Sequence, residues 1–160
     1  MENYFYIFNL KPTCNIDLIK LKQLYQDLQK KYHPDNYATS TDETKQKAVH
    51  NSSLINIAYK TLNTPILKIN HIFEIQGIDV KNDKNPIDIE FLSQHITLQD
   101  QISSSKKNAT TINAIKNKIN TEYDEYLNNI CTLIAKKEYY KSLSLFKELQ
   151  FIDKIKKQLH

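Results

Sequence analysis

The sequence predicts an all-α fold in two domains, and three observations support that prediction. Gly occurs once and Pro four times in 160 residues, whereas a sheet protein needs many turns, which are rich in Gly, Pro and Asn. Apolar residues recur every three or four positions through several long segments, which is the spacing of one helix face. A polar stretch at 77–86 separates two groups of these segments. We therefore expect helical domains at 1–76 and 87–160, joined by a linker at 77–86.

The first long helix of the N-terminal domain is predicted at 18–32. It follows an apolar run, Tyr4–Leu10, which is either a strand or a short buried helix, since periodicity alone does not decide. Asn15 or Asp17 provides its N-cap. Pro34 requires the helix to end, because the proline ring disfavours helical geometry in the preceding residue.

Two further helices are predicted in this domain. A capping-box pattern at Ser40–Glu43 predicts the start of the second long helix, which runs to about Leu62. Thr64 and Pro65 fit the N-cap and the first residue of a shorter helix. Gly77 stands where a left-handed C-cap residue would end that helix.

The C-terminal domain is predicted to be a three-helix bundle. Its helices are expected at 88–104, 111–137 and 139–159, with a turn at 103–108. Each of the three segments is amphipathic, and three such helices with short connections close around one core.

Composition argues against several classes of protein. The net charge is +4 and Arg is absent, whereas nucleic-acid binders usually concentrate positive charge and use Arg. Cys14 and Cys131 lie far apart, which excludes a disulfide scaffold and suits a reducing compartment. No apolar run reaches the length of a membrane span, and the N-terminus lacks the pattern of a signal peptide. We expect a bacterial cytoplasmic protein that binds neither nucleic acid nor membrane.

The sequence offers no constellation of catalytic residues. The five histidines have neither a partner four residues away nor an acidic neighbour at metal-ligand spacing. A single Gly excludes a glycine-rich phosphate loop, and no Ser or Cys lies in a nucleophile motif. We therefore expect no enzyme activity, no metal and no cofactor. His95 lies near the apolar side of its helix and is interpreted as a packing residue.

The tripeptide His33-Pro34-Asp35 lies between two amphipathic helices, directly after a partly basic helix face. Pro34 rigidifies the turn and presents Asp35 at a fixed place. Lys22 and Lys30 can steer this face toward an acidic partner. The alternative is that the tripeptide is only a helix stop followed by an Asx-type turn.

In this context the stretch from 25 to 37 resembles the J domain, a helical hairpin with a His-Pro-Asp loop. In that family the helix and loop dock on the ATPase domain of a DnaK-class chaperone and favour ATP hydrolysis. The resemblance implies that the chaperone-binding residues here are Lys22, Gln26, Lys30, His33, Pro34 and Asp35.

The resemblance extends along nearly the whole chain to one branch of J proteins, the HscB type of iron–sulfur cluster assembly. The similar segments are Tyr4–Leu10, Ile55–Pro65, Gly77–Asp79, Glu90–Leu92 and Leu149–Ile155. The Gly/Phe-rich linker and Cys-x-x-Cys repeats of DnaJ-type proteins are absent from the sequence.

In the HscB type the C-terminal domain binds an IscU-type scaffold protein. The resemblance implies that the client-binding residues here are Leu92, Ile96, Asp100 and Phe151. Helical periodicity supports part of this assignment. Leu92 and Ile96 lie well around the helix from the core stripe of Phe91, Leu98 and Ile102.

On the last predicted helix, Phe151 lies off the stripe formed by Leu145, Leu149 and Ile152. Apolar residues off the core stripe are candidates for a binding patch. The alternative is a wider buried stripe, or single exposed apolar residues, which are common.

Three positions depart from the family. Ser93, Thr97 and Ser104 stand where the family often has Met or Glu, which puts an acidic part of the client contact in doubt. The N-terminal cysteine motif of some eukaryotic members is also missing, so no zinc is expected.

The expected function is that of a monomeric co-chaperone. It would stimulate the ATPase of an HscA- or DnaK-class chaperone and deliver an IscU-type scaffold to it. Two alternatives remain: a J protein for a different client, and a basic helical nucleic-acid-binding module in which the tripeptide is accidental.

Overall fold

The computed structural model describes residues 2–104 and 108–159, and these residues form seven α-helices without any strand. The predicted all-α class is confirmed. Contacts divide the chain into two compact units between Ile78 and Asp79. The elements in chain order are α1 (Tyr4–Ile7), α2 (Leu18–Tyr32), a 3₁₀ turn (Pro34–Tyr37), α3 (Asp42–Asn63), α4 (Pro65–Ile75), α5 (Ile89–Ser104), α6 (Ala109–Ala135) and α7 (Tyr139–Gln158).

The N-terminal unit is built around α3. Helices α1, α2 and α4 and the 3₁₀ turn all contact this central helix. The four helices contribute apolar side chains to one core, and burying a side chain of this size contributes roughly 1.5–3 kcal/mol. The fully buried apolar residues of this unit are Phe5, Leu21, Ala58, Leu62, Ile69 and Phe73.

The apolar run at the N-terminus forms the short helix α1, not a strand. Buried His71 of α4 attaches this helix to the unit: the Tyr4 N–H donates to His71 Nε2 at 3.1 Å. His71 Nδ1 lies 3.3 Å from Glu74 Oε2, and its ring stacks on Tyr4 with centroids 4.4 Å apart. Because Nε2 accepts a hydrogen bond, the neutral ring carries its proton on Nδ1, facing the carboxylate.

The helix ends follow capping chemistry. Asp17 caps α2, since its Oδ1 accepts from Ile19 N–H at 2.9 Å and Lys20 N–H at 3.1 Å. Gly77 has φ +73°, as expected for a left-handed residue after α4. The capping box predicted at Ser40 is wrong by one residue. Thr41 is the N-cap of α3 and accepts from Thr44 N–H at 3.4 Å.

The reason is that Ser40 belongs to the preceding turn, where its N–H donates to Tyr37 O at 2.9 Å. Thr41 has the extended backbone that an N-cap needs, with φ −63° and ψ 156°. Glu43 does not reach back to a backbone amide, as a capping box requires. It pairs with Lys47 one helical turn later, at 2.6 Å.

In the C-terminal unit, α6 and α7 form a long helical hairpin and α5 packs against it. The fully buried apolar residues are Ile119, Ile130, Phe146, Leu149, Ile152 and Ile155. The stripe predicted on α7 was partly wrong, because Leu145 is only half-buried. Leu143 and Phe146 occupy the core in its place.

The polar segment before α5 is fixed to α7 by one lysine. Lys147 Nζ donates to Asp83 O at 3.0 Å and to Asn85 O at 2.7 Å, and it also pairs with the Asp83 carboxylate. The hydrogen bond from Lys147 lowers the pKa of Asp83 below its ordinary value. Residues 83–85 of the predicted linker are therefore held against the C-terminal unit.

Candidate functional site

One exposed face of α2 carries the first predicted set of site residues. Lys22, Gln26 and Lys30 are all exposed. They are spaced four residues apart and therefore lie within about 80° of arc on one side of the helix. Leu21 of the same helix is fully buried, so core and candidate site occupy different sides of α2.

The rotation of α2 is set by polar contacts to α3. Tyr25 stacks on Tyr59 with centroids 4.1 Å apart, and its hydroxyl donates to Asn56 Oδ1 at 2.9 Å. Gln29 Nε2 donates to the same oxygen at 2.8 Å, and Ser52 Oγ donates to Gln29 Oε1 at 3.1 Å. These contacts turn Tyr25 and Gln29 toward α3, and the face with the lysines points to solvent.

The His-Pro-Asp turn directly follows this face. His33 is both the C-cap of α2 and the N-cap of the 3₁₀ turn. Its Nδ1 accepts from Asp35 N–H at 3.3 Å and lies 3.4 Å from Asp35 Oδ2. Because Nδ1 accepts a hydrogen bond, the neutral ring carries its proton on Nε2. The Asp35 carboxylate is 88% exposed and can reach a cation outside the protein.

Two residues that sequence reasoning did not single out fold the turn back on α2. Asn36 Nδ2 donates to Lys30 O at 2.6 Å, and the Tyr37 hydroxyl donates to Lys31 O at 3.2 Å. The last carbonyls of a helix have no partner within the helix. The rule that such carbonyls need donors could have identified both residues, since each follows within six positions of the helix end.

The second predicted set of site residues lies mainly on α5. Leu92, Ile96 and Asp100 recur every four residues on one face. Leu92 is half-buried, Asp100 is exposed, and Ile96 is 53% exposed. Ile89 was not predicted as a site residue, although it is 82% exposed and lies two turns before Ile96 on the same side. Its signal was the spacing of seven residues between two isoleucines.

Phe151 of α7 is less exposed than its position off the predicted apolar stripe suggests. It is half-buried, and its ring lies edge-on to Phe91 and to His95, with centroids 6.0 Å away in both cases. Phe91 and His95 are the buried residues that precede Leu92 and Ile96 in the chain. The structure thus brings Phe151 to the core side of α5, where it supports that helix.

His95 is a buried packing residue that also links α5 to α6. It is 3% exposed, and its ring stacks on Phe91 with centroids 3.9 Å apart. Nδ1 lies 2.8 Å from Phe91 O, and Nε2 lies 3.2 Å from Glu122 Oε1. Both ring nitrogens therefore face an acceptor. Sequence reasoning placed the ring near the core, but it gave no signal for the partner 27 positions away.

A polar cleft of about 300 Å³ lies between α5 and α6 beside this pair. Tyr126 lines it, and burial, followed by a hydrogen bond with Glu148, raises the pKa of the Tyr126 phenol. The other lining residues are Gln94, His95, Leu98, Lys118, Thr121, Glu122 and Glu125.

Two of the three hydroxyl groups that depart from the family are bonded within α5. Thr97 Oγ1 donates to Ser93 O at 3.0 Å, and Ser104 Oγ donates to Asp100 O at 2.9 Å. Their hydrogens point back along the helix and not toward a partner. Asp100 is therefore the carboxylate that this part of the α5 face presents.

Neither a metal centre nor a membrane span is found in the parts of the chain that the structure describes. At 2–104 and 108–159, no group of three or more His, Cys, Asp or Glu residues could hold a metal ion. Within the same residues, no helix combines the length and the apolar character needed to cross a bilayer.

Comparison with known proteins identifies the family. Residues 87–160 match the family described as the HSCB C-terminal oligomerisation domain. A co-chaperone protein HscB homolog from Shewanella woodyi is 30% identical over 165 residues, which span 98% of this chain and 94% of the relative. This chain belongs to the HscB family of co-chaperones. A second HscB homolog, from Shewanella loihica, is 28% identical over 98% of this chain and 95% of its own length.

Solved HscB structures have the same fold. The HscB chaperone from Vibrio cholerae superposes with a TM-score of 0.89 at 28% identity, covering 99% of this chain and 95% of that one. Human co-chaperone protein HscB gives a TM-score of 0.93 at 20% identity, covering 99% and 81%. The predicted resemblance to the HscB type is confirmed. The relatives are named as co-chaperones and not as enzymes.

Proposed function

We propose that this HscB-family protein stimulates the ATPase of an HscA- or DnaK-class chaperone and delivers an IscU-type scaffold protein to it during iron–sulfur cluster assembly. It contributes no catalytic residue, metal or cofactor of its own, and it acts as a monomer in the bacterial cytoplasm. Residues 1–76 would provide the J domain and residues 87–160 the client-binding domain.

The observation that carries this proposal is the placement of Asp35. Its carboxylate is 88% exposed at the end of α2, and its backbone N–H is fixed by His33. A negative charge held on a short turn is suited to pair with a cationic side chain of the partner. Lys22 and Lys30, exposed on the adjoining helix face, would bring the partner's acidic surface to the same place.

The client surface is proposed on α5. Leu92 and Ile96 present apolar surface beside the carboxylate of Asp100, and Phe151 supports the helix from α7. Interface energy usually depends on a few apolar anchors with a polar rim. This surface has both parts.

The test is the steady-state ATPase rate of a purified HscA-class chaperone with this protein added. Wild type should raise turnover, and Asp35→Asn should abolish the increase because the amide carries no charge. Asp42→Asn is the matched control, since Asp42 is equally exposed in the same unit but lies outside the turn. If wild type changes neither an HscA-class nor a DnaK-class ATPase, the proposal is wrong.

A second candidate, a J protein for a different client, is favoured by the neutral hydroxyls of Ser93, Thr97 and Ser104 on α5. The same assay separates the two candidates when an IscU-type scaffold is included. The stimulation of the ATPase by scaffold and this protein together should exceed the sum of the stimulations that each gives alone. Stimulation that the scaffold leaves unchanged would support the different client.

A further inference from the structure

The end of α2 depends on side-chain donors that come from the turn itself. Pro34 has no N–H to give, and the nearby backbone donors are used within the turn: Asn36 N–H donates to His33 O at 3.0 Å and Ala38 N–H to Asp35 O at 3.3 Å. The carbonyls of Lys30 and Lys31 instead accept hydrogen bonds from Asn36 Nδ2 and the Tyr37 hydroxyl, at 2.6 and 3.2 Å.

These two bonds lie directly after Asp35 in the chain, and the His33 contact lies directly before it. The backbone N–H of Asp35 donates to His33 Nδ1 on one side. On the other side, Asn36 and Tyr37 tie the following residues to the last turn of α2. The 3₁₀ turn also packs against α3. Asp35 is thus fixed relative to the helix that carries Lys22 and Lys30.

We propose that Asn36 and Tyr37 are positioning residues that hold Asp35 in its docking geometry. We name the pair of bonds from Asn36 and Tyr37 to the Lys30 and Lys31 carbonyls the turn clamp. Its proposed role rests on the function proposed above. Neither side chain acts on the partner in this proposal; both act through the conformation of the turn.

The turn clamp has a quantitative consequence. If the docking geometry is populated only for a fraction of the time, the apparent dissociation constant rises by the inverse of that fraction, while the complex that forms is unchanged. Loss of one hydrogen bond should lower the equilibrium constant for the docking geometry about five-fold, which corresponds to about 1 kcal/mol. The apparent dissociation constant should therefore rise by up to about five-fold. The maximal stimulation should remain, because the docked turn still presents Asp35.

The experiment is a titration of chaperone ATPase stimulation with Asn36→Ala, with Tyr37→Phe and with the double variant. Each single variant should raise the concentration for half-maximal stimulation by up to about five-fold, and the double variant should raise it further, at unchanged maximal rate. Thr39→Ala, at an exposed position of the same loop, and Tyr6→Phe, at an exposed position of α1, are the matched controls. They should behave as wild type.

A second measurement does not need the chaperone. Backbone ¹⁵N relaxation of the free full-length protein should show greater mobility at His33 and at residues 35–37 in both clamp variants and in neither control. If wild type stimulates no ATPase, the proposed function fails, and this measurement alone decides whether the turn clamp holds the turn.

Three outcomes would overturn the proposal. Unchanged mobility at His33 and at residues 35–37 would show that the bonds do not hold the turn. Greater mobility with an unchanged half-maximal concentration would show that the turn needs no positioning. A lower maximal rate at unchanged half-maximal concentration would show that Asn36 or Tyr37 contacts the partner directly.

Discussion

The two proposed binding surfaces differ in how they relate to the core. On α2 the site residues are charged or polar and exposed, and hydrogen bonds join other side chains of this helix to α3. On α5 the site is mainly apolar and continuous with the core, since Phe151 packs against Phe91 and His95. Substitutions on α2 should therefore change binding alone, whereas some substitutions around α5 should change binding and stability together.

The largest expected effect concerns His95. His95→Ala removes a buried ring that stacks on Phe91 and leaves Glu122 facing a cavity without the imidazole. The free energy of unfolding of the full chain should fall by about 3 kcal/mol, which combines the cavity with a lost buried polar contact. Guanidinium unfolding followed by circular dichroism measures it.

His50→Ala is the matched control for this variant, because His50 is an exposed histidine of α3. It should change the free energy of unfolding by less than about 0.5 kcal/mol. A similar small change in His95→Ala would show that α5 does not depend on the buried pair.

The next largest effect is expected on both stability and binding. Phe151→Ala removes a half-buried ring from its contacts with Phe91 and His95. We expect a loss of about 2 kcal/mol in stability, below the 3–5 kcal/mol typical of a fully buried Phe. The affinity for the scaffold should fall as well, measured by calorimetry at a temperature where the variant is folded. A lower affinity for the scaffold with unchanged stability would mean that Phe151 belongs to the client surface and does not stabilise the unit.

A substitution at Ile96 should change binding to the scaffold without changing stability. Ile96→Gln replaces a side chain that is 53% exposed by a good helix former, so stability should change by less than about 0.5 kcal/mol. The dissociation constant for the scaffold should rise about ten-fold, as expected when an interface anchor is lost. Val49→Gln is the control, because Val49 is 54% exposed on a helix of the other unit. If the two variants bind the scaffold with equal affinity, Ile96 does not belong to the client surface.

Features that depend on local sequence signals could be predicted, and features that depend on helix packing could not. The limits of α2 were predicted correctly, because Asp17 and Pro34 are local signals. The N-cap of α3 was misplaced, since Ser40 and Thr41 are chemically similar and only the turn conformation distinguishes them. The approach of His95 Nε2 to Glu122 Oε1 and the half-burial of Phe151 depend on helix packing, which no local pattern contains.

The smallest expected effect concerns Lys147 and the segment before α5. The hydrogen bond from Lys147 lowers the pKa of Asp83 in the folded protein. A carboxyl whose pKa is lowered by folding stabilises the fold above its unfolded pKa, about 3.9. That contribution is lost as the pH falls below this value toward the folded pKa.

Lys147→Met keeps much of the side-chain volume but removes the donor to Asp83 and to the carbonyls of Asp83 and Asn85. Its melting temperature at neutral pH should be lower than that of wild type, and the difference should shrink on acidification from pH 5 to pH 3. Lys154→Met, at an exposed position of the same helix, should follow the wild-type curve. A difference that stays constant with pH would mean that Lys147 stabilises the segment through its carbonyl bonds and not through the Asp83 carboxylate. The attachment of this segment would then resemble the turn clamp, which also uses neutral acceptors.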